Sequence, residues 1–292
     1  MSLASVKEYF TPGAPSEVLE LLEKYGSGAL IVAGGSFVHG LDARDLLYGI
    51  EALIDIRKTG LDQINADTAG LTLGSMVTFA RLKRLDLVRE SAALGAVRDA
   101  LEYPPTQIRN VATIGGNIAS ACPYFDMPTA LLTLDAVVRA QGTAGTREIA
   151  LPDLFGGMFQ NTLEENEFLT EVFLPQLPAR SASAFIKLES NANDLAIVNV
   201  AVRVSLDDSG TCTAARFAVG GGCAETAVRA PAAESVLEGA TLSDDLLARA
   251  AAAVTEDLEP MSDHRASAAY RSAMARTLTH RALQRAVARL DQ

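Results

Sequence analysis

The chain has 292 residues, enough for two domains with buried cores, and 49% hydrophobic against 21% charged residues describes an ordinary globular protein rather than a disordered one. Its formal net charge is −11, from 25 Lys and Arg against 36 Asp and Glu, and no basic run interrupts it, which argues against a nucleic-acid partner. No apolar stretch reaches the roughly 18 residues needed to span a bilayer, and charges appear too early at the N-terminus for a signal peptide. A cytoplasmic protein is expected.

In chain order, the first helix is legible from its ends. Pro15 and Ser16 precede it, Val18, Leu21, Leu22 and Tyr25 form its apolar stripe, and Gly26 stops it. Glu20 and Lys24 are spaced as an i,i+4 pair on its wet side. Strands are expected over Ala29–Val32, 52–56 and 71–73. Residues 78–101 read as helical, with Thr78 as N-cap and Gly95 either tolerated inside or marking a break. Pro104 and Pro105 end that segment. A helix from Asp126, with that residue as acidic N-cap and Pro128 in its first turn, precedes strands near 137–139 and 168–174.

The Pro- and Ser-rich residues 175–183 supply the expected domain boundary, at 177/178. Beyond it, 196–206 and 213–219 alternate with period two about the turn Asp207-Asp208-Ser209-Gly210, a hairpin pattern. The rest is Ala-rich and helical, over 242–258 with Ser243 as cap, and from about 267 to 290. The fold class is α+β.

Two glycine pairs carry the chemistry. Ala29-Leu-Ile-Val-Ala-Gly-Gly-Ser36 and Val111-Ala-Thr-Ile-Gly-Gly-Asn117 each read as a buried strand breaking into a bare-backbone turn, beside a hydroxyl or amide side chain. Such turns let a phosphate approach main-chain N–H groups that β-carbons would screen, and two in one half of the chain suggest a dinucleotide gripped from two sides. The first lacks G-x-G-x-x-G and is followed by no strong helical pattern, and no G-x-x-x-x-G-K-[ST] is present, which disfavours the Rossmann and P-loop readings. Asp126 reads either as a helix cap or as an acceptor for ligand hydroxyls. Gly220-Gly-Gly222 reads as a sharp turn, and Glu164, Glu165 and Glu167 as a solvated charged loop. Cys122, Cys212 and Cys223 show no C-x-x-C and read as small buried hydrophobes; His39, His264 and His280 have no ligand-spaced partner. No metal site and no catalytic Ser/His/Asp set is expected on this chain.

These residues together resemble a family. Ala33-Gly-Gly-Ser36 with Ala52-Leu-Ile-Asp-Ile56, and Ile108-Arg-Asn-Val-Ala-Thr-Ile-Gly-Gly-Asn-Ile118, are similar to the FAD-binding medium subunits of molybdenum hydroxylases, the carbon monoxide dehydrogenase and xanthine dehydrogenase type enzymes. Matches continue through Asp126-x-Pro-x-Ala-Leu-Leu132, Glu167-Phe-Leu-Thr-Glu-Val172, Ala184-Phe-Ile-Lys187, Asp194-Leu-Ala-Ile-Val198, Val228-Arg-Ala230 with Glu234, and Tyr270-Arg271.

The resemblance implies a vanillyl-alcohol-oxidase-like FAD-binding domain over 1–177, of two α+β subdomains (about 1–57 and 58–177). It also implies a C-terminal domain over 178–292, with a three-stranded sheet and a helix bundle. FAD is the implied cofactor. Carried over by position, its contacts are Ile31, Val32, Ala33, Gly34, Gly35, Ser36, Phe37 and Val38 from the first motif, and Thr113, Ile114, Gly115, Gly116 and Asn117 from the second. Asp126 matches an FAD-contacting aspartate, Leu169 a residue lining the flavin, and Lys187 a lysine at its polar edge. Tyr103 falls where relatives place a ring against the isoalloxazine; stacking there and bracing the following prolines both fit. The implied partners are a large molybdopterin-binding subunit and a small subunit with two [2Fe–2S] clusters, in a dimer of heterotrimers, with this chain passing electrons from the clusters through FAD to an external acceptor. A self-sufficient flavin oxidase and a partner-binding scaffold that has lost FAD are the alternatives.

The chain departs from the family pattern at two places. Ser36-Phe37-Val38-His39 replaces the usual polar pair after the first glycines, and Ser190-Asn191 stands where many relatives carry arginines. The iron–sulfur insertion of the 4-hydroxybenzoyl-CoA reductase branch is not expected either, since the cysteines are too few.

Overall fold

The computed structural model describes residues 6–192 and 194–290; the first five residues of the N-terminal stretch read above lie outside that description. The first unit holds β1 (Glu8–Phe10), α1 (Pro15–Tyr25), β2 (Ala29–Val32), α2 (Ser36–Asp42) and β3 (Ala52–Asp55). Its strands form a parallel sheet in the order β1-β3-β2. Helix α1 lays Val18 and Leu22 against Ile54 and Ile56 to make a small core, and Gly26 ends it at φ +49°. Lys24 takes no part in the expected pair with Glu20; it lies over the rings of Tyr25 (4.6 Å) and Phe10 (5.8 Å).

A longer segment follows, opening with β4 (Ile64–Ala66) and β5 (Gly70–Gly74). Where one helical stretch was expected over 78–101, the chain forms α3 (Phe79–Arg84), α4 (Asp86–Glu90) and α5 (Gly95–Ala100). Thr78 caps the first as expected, accepting from the Arg81 N–H. The breaks fall at Leu85 and Ser91, which are extended. Next come α6 (Thr106–Val111), α7 (Ile114–Ala119) and α8 (Asp126–Leu132), so the strand expected before the second glycine pair is the end of one helix and the start of another. Thr113 explains the difference: its backbone is extended and its hydroxyl accepts from the Gly116 N–H, an N-cap rather than a strand end. Asp126, expected as the N-cap of α8, instead occupies its first helical position: Phe125 has the extended backbone of the cap.

The unit closes with β6 (Val137–Gly142), β7 (Gly145–Ala150), α9 (Leu151–Leu154), the hairpin β8 (Phe155–Gly157) and β9 (Gln160–Asn161), and β10 (Phe168–Pro175). Its main sheet is antiparallel, ordered β4-β5-β10-β6-β7.

The C-terminal sheet, β11 (Ser181–Leu188), β12 (Val198–Leu206), β13 (Cys212–Gly220) and β14 (Val228–Arg229), is antiparallel and carries one more strand than expected, of two residues. Helices α10 (Pro231–Leu237), α11 (Asp244–Ala253) and α12 (Ala268–Leu290) cover one face. Val198, Val200, Val202 and Val204 point to those helices, and Ala201 to the core of the preceding unit. The alternation of β12 therefore marks two buried faces rather than one wet and one dry. All three cysteines are buried, as read.

Candidate cofactor cleft

Between the first unit and the second lies a cleft of about 370 Å³. Its floor is built where the two glycine pairs meet. A β-carbon on Gly34 would overlap the Val111 carbonyl, and one on Gly115 would overlap the Ser75 side chain. On Gly116 it would lie 3.0 Å from Thr113 Oγ1 and 3.6 Å from Ala33 Cβ. Two of the glycines are thus bare because another stretch of the same chain presses on them, a correction to the expectation that they stand open to a ligand. Gly35 serves differently: at φ +72° it turns β2 directly into α2. That helix was not legible, because Ser36-Phe37-Val38-His39-Gly40 has no helical hydrophobic period.

The two helix starts differ electrostatically. The amides of Ser36, Phe37 and Val38 precede the first intrahelical bond of α2, His39 N–H to Gly35 O, and no side chain caps them. They leave a helix end with partial positive charge facing the cleft walls. In α7 the donors are already committed: Ile114 N–H to Val77 O (2.9 Å), Gly115 N–H to Ser75 O (2.9 Å) and Gly116 N–H to Thr113 Oγ1 (3.2 Å). The second motif offers side chains instead. Asn117 Oδ1 and Ser75 Oγ are buried with no hydrogen-bond partner among the described residues, and both residues line the cleft. Buried polar atoms cost stability when unpaired, so two on one cleft wall mark where a polar ligand fits.

Of the residues singled out in the sequence, Ile31, Ala33, Gly34, Gly35, Ser36, Phe37, Val38, Thr113, Gly115, Gly116, Asn117 and Leu169 line this cleft. Ile114 is fully buried in the main core, and Val32 does not line the cleft but lies beside Gly35. Asp126, Lys187 and Tyr103 form a separate half-buried cluster, one residue along the chain from the cleft-lining Phe125. Lys187 Nζ, on a side chain only 4% exposed, sits 3.1 Å from Asp126 Oδ2 and 3.0 Å from Glu189 Oε2. It lies 5.2 Å from the centre of the Tyr103 ring, whose hydroxyl accepts from the Lys187 N–H. Asn199 Nδ2 donates to Asp126 Oδ1 at 3.0 Å. Burial pushes the Asp126 carboxyl above its ordinary value, opposed by the Lys187 charge and the Asn199 hydrogen bond. Tyr103 packs edge-on against Phe185 and so joins the helical segment to β11.

Ser75, Ser120, Phe125 and Asn161 also line the cleft, and no motif in the sequence singles them out as a group. Only Gly74-Ser75, a glycine and a hydroxyl after an apolar strand, repeated the signal used elsewhere. Glu164 and Glu165 stand exposed in a loop, as read, and together with Glu167 they also border the cleft. Glu167 is held by Arg147 through two hydrogen bonds (2.8 and 2.7 Å), which keep its carboxyl below the usual range.

The family described as FAD binding domain in molybdopterin dehydrogenase matches residues 4–177, and that described as CO dehydrogenase flavoprotein C-terminal domain matches 183–286. This chain belongs to the FAD-binding medium subunits of the molybdenum hydroxylases. It is 35% identical to the 6-hydroxypseudooxynicotine dehydrogenase complex subunit alpha of Paenarthrobacter nicotinovorans, over 97% of this chain and 95% of that one. It is 32% identical to the carbon monoxide dehydrogenase medium chain of Afipia carboxidovorans, over 97% of each. Its fold superimposes on carbon monoxide dehydrogenase of Hydrogenophaga pseudoflava with a TM-score of 0.91 at 32% identity, covering 97% of this chain and 98% of that one.

FAD is the cofactor of this flavoprotein subunit. The cleft fits it: an uncapped helix start suits a diphosphate, and two unpaired polar atoms suit ligand hydroxyls or amides. The Paenarthrobacter and Afipia relatives are both named as one part of a larger dehydrogenase, a complex subunit and a medium chain. No described helix is long and apolar enough to cross a membrane.

Proposed function

We propose that this subunit holds FAD in the cleft between its first two units and relays electrons through it to an external acceptor. The donors are [2Fe–2S] clusters on a small partner subunit, fed by a molybdopterin centre on a large one, in a dimer of cytoplasmic heterotrimers. The observation that carries the reading is the meeting of Ala33 and Gly116, which brings the free amides of α2 and the unpaired Ser75 Oγ and Asn117 Oδ1 onto one cleft. Bound FAD supplies the electron exchange that side chains do not. The chain's own groups do the rest. The amides of Ser36, Phe37 and Val38 neutralise the diphosphate, Asn117 and Ser75 hydrogen-bond the ligand, and Leu169 shapes the apolar wall.

Lys187, Asp126 and Tyr103 border the flavin end, where the ammonium balances two carboxylates and sets the local field. The division into residues 1–57, 58–177 and 178–292 belongs to the same reading; the chain leaves β10 at Pro175 and enters β11 at Ser181, which supports the second boundary. Co-expression with the large and small subunits tests the assembly. The expected product is a complex containing molybdenum, iron and FAD, in which substrate reduces the flavin. A chain that binds FAD but neither partner would contradict the relay and favour a self-sufficient oxidase.

A further inference from the structure

Phe159 stands at the tip of the β8–β9 hairpin with φ of +59°. A bulky residue in the left-handed region is strained and persists only where its surroundings hold it there. Here the hold is visible. The Phe159 N–H donates to Ala121 O at 3.0 Å, and Ala121 is itself at φ +44°. Two residues along, Asn161 Nδ2 donates to Ala119 O at 2.7 Å. The hairpin is therefore tied at two points to the end of α7, the helix that carries the second glycine pair.

The outcome of that strained conformation is a ring stack. The Phe159 ring, 48% exposed, lies on Phe37 with centroids 6.1 Å apart and planes 25° from parallel. Phe37 meets Phe125 edge-on at 5.7 Å and 76°. Phe37 and Phe125 line the cofactor cleft, whereas Phe159 does not line it and stacks on Phe37 with about half its surface exposed. Three rings from three separate segments thus form one chain of contacts, two of them in the cleft wall and the third backing it.

We propose that Phe159 is the outer leaf of an aromatic latch: it pins the β8–β9 hairpin against Phe37, closes this side of the cleft to water and slows the release of FAD. The proposal rests on FAD occupying the cleft. A favourable aromatic pair changes a release rate by about three- to tenfold. Phe159→Gly is the informative variant, because glycine adopts the same backbone without strain and keeps the hairpin tied while deleting the ring. Phe159→Tyr keeps the ring.

The test follows FAD release from the holo-protein by the recovery of free flavin fluorescence on dilution, together with iodide quenching of the bound flavin. Phe159→Gly is expected to release FAD about three- to tenfold faster with stronger quenching, and Phe159→Tyr to match the wild type. Equal release and equal quenching in Phe159→Gly and wild type overturn the latch while leaving the cofactor reading intact. A wild-type chain that holds no FAD overturns the cofactor reading, and the latch with it.

Discussion

Gly34 and Val111 are pressed together across the floor of the cleft: a β-carbon on Gly34 would lie 2.6 Å from the Val111 carbonyl carbon and closer still to its oxygen. Backbone on both sides leaves nothing flexible to yield. Gly34→Ala is therefore expected to force the first two units apart, lowering the melting temperature and the FAD content together. Gly116→Val meets mainly the Thr113 hydroxyl and the Ala33 methyl, so it is expected to cost FAD with a smaller loss of stability. Thermal unfolding and flavin content on both variants check this. A Gly34→Ala protein as stable as wild type would refute the packing account.

Lys187 is a buried cation between Asp126 and Glu189. Removing it leaves the nearly buried Asp126 and the half-buried Glu189 without their counter-charge, a loss of up to about 3–5 kcal/mol where a pair is fully buried. Lys187→Ala is expected to lower stability by that order in urea unfolding, and adding Asp126→Asn to recover part of it. Additive losses in the double variant would show that the pair is not coupled. Flavin turnover in Lys187→Ala, followed by stopped-flow reduction, is expected to slow more than FAD occupancy falls.

Two aspartates make the fold acid-sensitive in a defined window. Asp55 and Asp263 are both lowered to about 2, although burial by itself would raise them. Asp55 is held down by hydrogen bonds from Arg57 and the Tyr9 hydroxyl, Asp263 by Arg271 and two backbone amides. Because the folded value lies below the ordinary 3.8, each contributes stability that is fully present above about pH 4 and is lost as pH falls toward 2. The contribution is about 2 kcal/mol each. Asp55→Asn and Asp263→Asn are expected to flatten the stability profile between pH 4 and 2, and an unchanged slope in both would count against the assignment.

Burial pushes the Cys122 and Cys223 thiols up to about 12 and Cys212 to about 11. Thiolate is scarce at neutral pH in all three, so labelling by iodoacetamide is expected only after unfolding. Rapid modification of native Cys122, read by intact mass, would contradict its burial.

Much of this was legible in the residues. The stripe on α1, the strand at Ala29–Val32, the β12–β13 hairpin about Asp207–Gly210 and the long final helix follow from local period and punctuation alone. The second glycine motif was misread as a strand end because Val111-Ala112-Thr113-Ile114 is apolar and β-branched; a long-range packing against Ser75 and Val77 decides its helical form. The helix after Gly35 was hidden for a related reason, since its side chains are chosen by the cleft and the Phe125 and Phe159 rings rather than by a helical period. The cluster of Asp126, Lys187 and Tyr103 joins three segments far apart in sequence, and the resemblance to a family pointed to it where no spacing did.

Equilibrium binding of FAD to the purified chain and to Ser75→Ala, Asn117→Ala and Gly116→Val tests most directly whether the paired glycine motifs build one FAD site. About one FAD per wild-type chain is expected, with weaker binding in the two side-chain variants and near-complete loss in a folded Gly116→Val protein. Undiminished FAD binding in Gly116→Val would contradict that assignment.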